Sequence, residues 1–132
     1  MNSICKTVFL LLLIVVSSSA LADWVKVEES NTFTAYADPT TIRTNGNVVE
    51  IWTLQDYKAV QVDPTLGAYL SARAQAEFDC KEEKVRDLRL SWYSDKMAEG
   101  AVVFLDEDPS NWNPVIPGTG DEALWKFVCK KR

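Results

Sequence analysis

Apolar and polar residues alternate along most of this chain with the period of two that marks β-strands. Trp24-Val25-Lys26-Val27-Glu28 predicts a strand with Val25 and Val27 inward, and Phe33-Thr34-Ala35-Tyr36 a second short one. Asp38-Pro39-Thr40-Thr41 reads as a turn or a single helical turn, because Pro pre-sets the φ that a turn needs. Asn45-Gly46 predicts a tight turn, since both residues tolerate positive φ. A strand rich in β-branched and aromatic residues follows over Val48 to Tyr57, then a loop from Lys58 to Gly67 punctuated by Pro64 and Gly67.

Tyr69 to Cys80 carries the clearest period. Leu70, Ala72, Ala74, Ala76, Phe78 and Cys80 share one parity, while Tyr69, Ser71, Arg73, Gln75, Glu77 and Asp79 share the other. This predicts a strand with one apolar and one polar face, and the alanines leave room for something bulky. Lys84 to Ser94 alternates again, with Leu88, Leu90 and Trp92 on one face and Asp87, Arg89, Ser91 and Tyr93 on the other. Glu99-Gly100 is a turn. Ala101-Val102-Val103-Phe104-Leu105 is apolar on both faces, which predicts a central strand. Asp106 to Gly118 is a loop rich in Pro, Asn and acid.

The period then changes. Thr119-Gly120-Asp121-Glu122 matches the capping-box pattern that opens a helix. Leu124, Trp125, Val128 and Cys129 follow as an apolar stripe at helical spacing. Glu122, Lys126 and Lys130 form the opposite face, with Glu122 and Lys126 at a favourable i,i+4 spacing. The expected fold is α+β: one domain, an antiparallel β-sheet of about six strands packed against a C-terminal α-helix, and one disulfide.

Residues 1–22 carry a different signal. Lys6 precedes an apolar run from Val8 to Val16, followed by Ser17-Ser18-Ser19 and Ala20-Leu21-Ala22. That is the charged region, apolar region and A-x-A site of a secretory signal peptide. The run is shorter than the roughly 20 residues that span a bilayer. Cleavage after Ala22 would leave a single domain over residues 23–132; an uncleaved anchor is the alternative. A lipoprotein would carry Cys directly after the cleavage site, where this chain has Asp23, so a lipid anchor is not expected.

Export changes how the cysteines read. Cys5 lies in the signal, which leaves Cys80 and Cys129 as an even pair in an oxidising compartment. One disulfide is the expectation, with a redox-active pair or free thiols as the alternative. Cys80 ends the apolar strand face and Cys129 ends the helix stripe, so a bridge would clamp helix onto sheet. It closes a loop of about 50 residues and stabilises by roughly 4 kcal/mol in the chain-entropy model.

The 132-residue chain has a formal charge of −5, which becomes −6 once Lys6 leaves with the signal. That acidity argues against nucleic acid as a partner. The tail Lys130-Lys131-Arg132 reads as a solvated helix end. There is no histidine. Ser-His-Asp and Cys-His nucleophile sites are therefore absent, as is the usual general base near neutral pH. Asp106-Glu107-Asp108 with Ser110 begins like a calcium loop, but Asn111 stands where glycine is needed and Pro117 where the bidentate acid is needed. The carboxylate pairs Glu77 with Asp79 and Glu28 with Glu29 sit on exposed parity or at strand ends, as surface charge does. No metal, cofactor or enzymatic activity is expected.

Arg73, Lys81, Lys84, Arg86 and Arg89 place positive charge on two successive strands. They read either as an electrostatic patch for an acidic or sulfated partner or as a mixed-charge surface, because Glu77, Asp79, Glu82, Glu83 and Asp87 interleave. Tyr57, Tyr69, Tyr93 and Trp112 lie on loops or outward parity. They either anchor a partner, or cover a sheet edge or fill a satellite core. Candidate partner-contact residues are Arg73, Lys84, Arg89, Tyr93 and Trp112.

Several motifs occur in a recognisable order: Tyr36-x-Asp38-Pro39-x-x-Ile42, Trp52-x-Leu54-x-Asp56-Tyr57, Ser71, Glu77-Phe78-Asp79-Cys80, then Trp112-x-Pro114-Val115-x-Pro117-Gly118-Thr119 and a final helix reaching Cys129. This set resembles the surface-adhesin protein E-like family of Gram-negative bacteria across nearly the whole chain after the signal. The resemblance implies an antiparallel sheet against a C-terminal helix, with Cys80 and Cys129 as the structural pair. It also implies an adhesin for host matrix or serum proteins that can form a homodimer. The functional expectation is a non-enzymatic, exported, protein-binding module of the periplasm or cell surface. The alternative is a periplasmic accessory protein, such as an enzyme inhibitor or envelope-assembly partner, gripping its target with the loop at Lys58–Gly67 or Asp106–Gly118.

Overall fold

The computed structural model describes residues 22–131. The expected signal segment, up to Leu21, and Arg132 lie outside the described residues. In chain order the elements are β1 (Val25–Glu29), β2 (Phe33–Asn45), β3 (Val48–Asp63), β4 (Gly67–Asp79), β5 (Lys84–Tyr93), β6 (Val102–Asp106), β7 (Asn113–Pro114) and α1 (Gly120–Lys131). Strands β1 to β6 lie in sequence order in one sheet, and β7 pairs with β5. Every pairing is antiparallel. The expected α+β architecture is therefore present, with a short seventh strand added.

One face of the sheet carries α1. Ala35, Ala37, Val49, Ile51, Ala76, Phe78 and Val85 bury there against Leu124 and Val128 of the helix. The small alanines let the helix come close, as the apolar parity of β4 requires. The helix opens as its sequence demands, with the Glu122 N–H donating to Thr119 Oγ1 at 3.4 Å. The Glu122 carboxylate reaches back to the Gly118 N–H instead of Thr119. Gly120 sits under the Phe33 ring, where a Cβ would come within 3.1 Å of it. Cys80 and Cys129 form a disulfide with Cα atoms 5.6 Å apart. Beside it the Trp125 Nε1–H donates to the Asp79 carbonyl at 3.0 Å.

The other face has a small core of its own. Leu54, Asp56 and Ser71 are buried there, under a tight turn at Lys96–Ala98. Asp56 Oδ1 accepts the Met97 N–H at 2.8 Å. Ser71 Oγ donates to the Asp95 carbonyl at 2.6 Å and accepts the Ala98 N–H at 2.9 Å. Met97 and Ala98 both have φ of 58°, a conformation that these side-chain bonds hold in place.

Several local expectations are corrected. Asp38-Pro39-Thr40-Thr41 is no separate turn but a bulge inside β2, where pairing with β3 shifts between Asp38 and Arg43. Side chains replace ladder bonds there: Asp38 Oδ1 takes the Thr40 N–H, and Thr41 Oγ1 takes the Trp52 N–H. Lys58–Gly67 is not a loop, because β3 runs on to Asp63 and the tip is three residues long. Val25 stays exposed, since a shift between Lys26 and Glu28 leaves Val27 alone to pack on the core. β6 is an edge strand, not a central one.

A further correction bears on function. The β4–β5 register passes from Gln75↔Arg89 to Ala76↔Asp87, leaving Leu88 as an extra residue. A one-residue bulge flips every side chain beyond it. Val85 and Asp87 thus share the helix face with Leu90 and Trp92, and Asp87 is not outward. The turn between β2 and β3 also moves by one residue: Asn45 pairs with Val48, so Gly46 and Asn47 form the loop. Gly46 supplies its positive φ of 61°.

Candidate functional site

Three features of the surface could contact another molecule. The first is a cavity of about 270 Å³ on the helix face, between the first turn of α1, the 106–118 segment and strands β3 to β5. Alanines of β4 line it, so the room they leave is filled by α1 only in part. Tyr57, Tyr69 and Trp92 line it together with Asp87 and Asp121. Tyr69 stacks on Trp92 at 4.3 Å between centroids, and Trp92 contacts Phe104 at 4.8 Å. Tyr69 therefore joins the helix face, against its expected outward parity. Ser110 fixes the rim through its N–H to the Asp87 carbonyl at 2.8 Å and its Oγ accepting the Asp87 N–H at 3.0 Å.

The electrostatics of this cavity follow from burial. Desolvation, with Asp121 nearby, pushes the Asp87 carboxyl up to about 6. Desolvation also raises Asp121, and burial pushes the Tyr57 phenol to about 12. A carboxylate whose folded-state value exceeds its unfolded value of 3.8 binds more protons when folded. Its destabilising effect is present near neutral pH and fades as pH falls through about 6 towards 3.8. Asp87→Asn is expected to raise stability near neutral pH by about 1–2 kcal/mol, allowing for solvent screening. The gain should vanish below 3.8. Urea denaturation across pH checks this, and equal midpoints near neutral pH would contradict it.

The second feature is the edge of the sheet. Among the described residues β6 pairs on one side only. The β5–β6 register places Leu105 opposite Ser91 and Val102 opposite Tyr93, so both project from the face away from the helix. They are 58% and 56% exposed. The third feature is the β3–β4 ribbon. Beyond Tyr57 it no longer pairs with β2, and before Ser71 it does not pair with β5. It projects past the sheet with Val60, Val62 and Leu66 exposed, Val62 at 73%.

The expected partner-contact residues are distributed as follows. Arg73, Lys84, Arg89 and Tyr93 share the face away from the helix through the β4–β5 register. Arg73 lies over the Trp52 ring at 4.0 Å. Arg89 is exposed, 3.9 Å from Glu107. The Tyr93 hydroxyl accepts from Ser91 Oγ at 3.1 Å. Arg86 bonds Glu77 at 2.7 Å and covers the Trp112 ring at 4.7 Å, which brings Trp112 to the rim of the same region. Positive charge there is interleaved with acids, as a mixed surface. Sequence reasoning missed the Asp87–Asp121 cavity. The available signal was Val85, whose apolar parity disagrees with that of Leu90 and Trp92 and so marks a bulge between Val85 and Leu90.

Among the described residues no group of three or more His, Cys, Asp or Glu is placed to hold a metal ion. Among them, too, no helix is long and apolar enough to cross a membrane.

Comparison with known proteins settles the lineage. Residues 24–130 match the surface-adhesin protein E family. This chain belongs to that family. The protein E fold is shared with solved structures of Haemophilus influenzae protein E. In one crystal form the TM-score is 0.57 at 13% identity, covering 80% of this chain and 96% of that one. Another structure of the same protein gives 0.55 at 13% identity, with 81% and 93% covered. Protein E from a non-typeable strain gives 0.54 at 13% identity, with 86% and 79% covered. Among curated proteins none matches. At 13% identity the likeness to these structures is one of fold.

Proposed function

We propose that this chain is an exported, non-enzymatic protein-binding module that meets a protein or peptide ligand at its β6 edge and the adjoining face. The observation that carries this reading is an apolar edge strand with one side unpaired, Val102 and Leu105 exposed, next to Tyr93 and Arg89. An exposed edge offers backbone N–H and C=O groups to an incoming strand, and side chains beside it supply selectivity. Membership of a surface-adhesin family supports host matrix or serum proteins as the ligand class. The expected signal peptide, cleaved after Ala22, would deliver the domain to the periplasm or cell surface without a lipid anchor.

Protease shaving of intact cells, with osmotic-shock fractionation, tests the location. Cleavage on intact cells supports adhesion; survival with release in the shock fluid rejects it. For the edge itself, Val102→Glu combined with Leu105→Glu is expected to weaken binding to immobilised host matrix proteins at least about tenfold. Stability should stay unchanged, because both side chains are exposed. Wild-type binding by this variant would remove β6 from the interface. Sedimentation of the purified protein tests the homodimer that the family resemblance implies.

A second reading has an observation of its own. The projecting β3–β4 ribbon, with Val60, Val62 and Leu66 bare, suits a periplasmic accessory protein that inserts a hairpin into a partner's apolar cleft. Val62→Asp would then abolish capture of the partner while the β6 variant would not.

A further inference from the structure

We propose that the cavity between α1, the 106–118 segment and β3–β5 binds an organic cation, an alkylammonium or alkylguanidinium group, between Asp87 and Asp121 with its carbon chain against the aromatic wall.

The argument starts from a missing counter-charge. Two carboxylates from different elements, one on β5 and one in the first turn of α1, border one cleft. Among the described residues neither accepts a hydrogen bond nor forms an ion pair. The one cationic side chain along the cavity is Arg86, and it is bound to Glu77 at 2.7 Å with Trp112 beneath it. A half-buried carboxylate pair without a cation is costly, and a cation placed between the two would relieve both. The rest of the wall says which kind of cation. Tyr57, Tyr69 and Trp92 offer ring surface, and Ala72 and Ala74 a smooth floor. Aromatic walls attract ammonium and guanidinium groups and accept methylene chains. Thr53, Gln55, Ser110 and Asn113 also border the cleft, but among the described residues no group of three or more His, Cys, Asp or Glu is placed to hold a metal ion there. At about 270 Å³ the space falls just below the usual range of small-molecule pockets, roughly 300–1,000 Å³, which suits a side chain or a short amine.

Two sources carry this chemistry: a small free amine, or a Lys or Arg side chain of a protein partner. The site does not depend on the β6 edge, so failure of either reading leaves the other standing.

The test is an amide-shift NMR titration of the purified exported protein. The probes are n-butylammonium, its neutral match 1-butanol, and the peptides acetyl-Gly-Lys-Gly-amide and acetyl-Gly-norleucine-Gly-amide. Butylammonium and the lysyl peptide should shift Ala74, Asp87 and Asp121, whereas butanol and the norleucyl peptide should not. Asp87→Asn and Asp121→Asn should each weaken cation binding about tenfold. Both variants should fold, because each removes a charge that burial disfavours. Binding should also weaken as pH falls through about 6. Tyr57, which burial pushes up to about 12, stays neutral over that range; Tyr69 and Arg86 also line the cavity, and the two aspartates are the groups that respond. If butylammonium binds as tightly as the lysyl peptide, free amines are the ligand; tighter binding of the peptide assigns the site to a partner's side chain. Equal shifts with butanol, no shift with either cation, or unchanged affinity in both variants would overturn the proposal.

Discussion

Replacing Cys80 and Cys129 by serine should lower stability by about 4 kcal/mol. The bridge spans 49 residues of sequence, and without it the unfolded chain regains the freedom that this loop denies it. Single domains are stable by only about 5–15 kcal/mol, so this is a large fraction of the total. The native fold should nonetheless survive, because Leu124 and Val128 remain buried and Trp125 still holds the Asp79 carbonyl. Urea denaturation of the double variant is the check. A loss under about 1 kcal/mol would mean that the unfolded chain is already compact around the same contacts. Mass spectrometry without reductant should find the wild-type protein two protons lighter than its dithiol form.

Phe78→Ala is expected to cost about 3–5 kcal/mol. Phe78 is 1% exposed and pairs across the sheet with Val49 and Val85. It belongs to the cluster that includes Leu124 and Val128. Along the same face of β4 its neighbour is Ala76, too short to swing into the gap, and the cross-strand valines are stiff at χ1. The site therefore collapses poorly, and the cost should fall at the upper end of that range. A shift in urea midpoint with an unchanged slope would confirm it. A loss below about 2 kcal/mol would show that α1 can settle into the vacated space.

Where two signals agreed, the fold was legible in the sequence. The parity of Leu70 to Cys80 and the helical stripe of Leu124 to Cys129 each pointed to the same packing, and Phe78, Ala76, Leu124 and Val128 meet there. What was lost was lost at bulges. Val27, the segment between Asp38 and Arg43, and Leu88 each interrupt a pairing register. An extra residue reverses the inward parity of everything after it, and no property of that residue alone announces it. This is why alternation alone places Asp87 in solvent and hides the cavity. Ala101 to Leu105 failed for another reason. Phe104 faces Trp92 while Val102 and Leu105 face outward, so two apolar faces here mean one packed face and one bare face. Periodicity reports which side chains avoid water, not what they meet.

The position of the disulfide also decides how the molecule carries load. It joins the last turn of α1 to the end of β4, an interior strand. A pull on the C-terminus passes from Cys129 straight to Cys80. The 48 residues between them, including β5, β6 and the cavity rim, bear no tension. A pull on the N-terminus instead reaches β1, an edge strand held to β2 by antiparallel bonds that open one at a time like a zipper. The two ends of the domain thus differ mechanically: it yields first from the front, while the bridge shields the region that carries the proposed contacts.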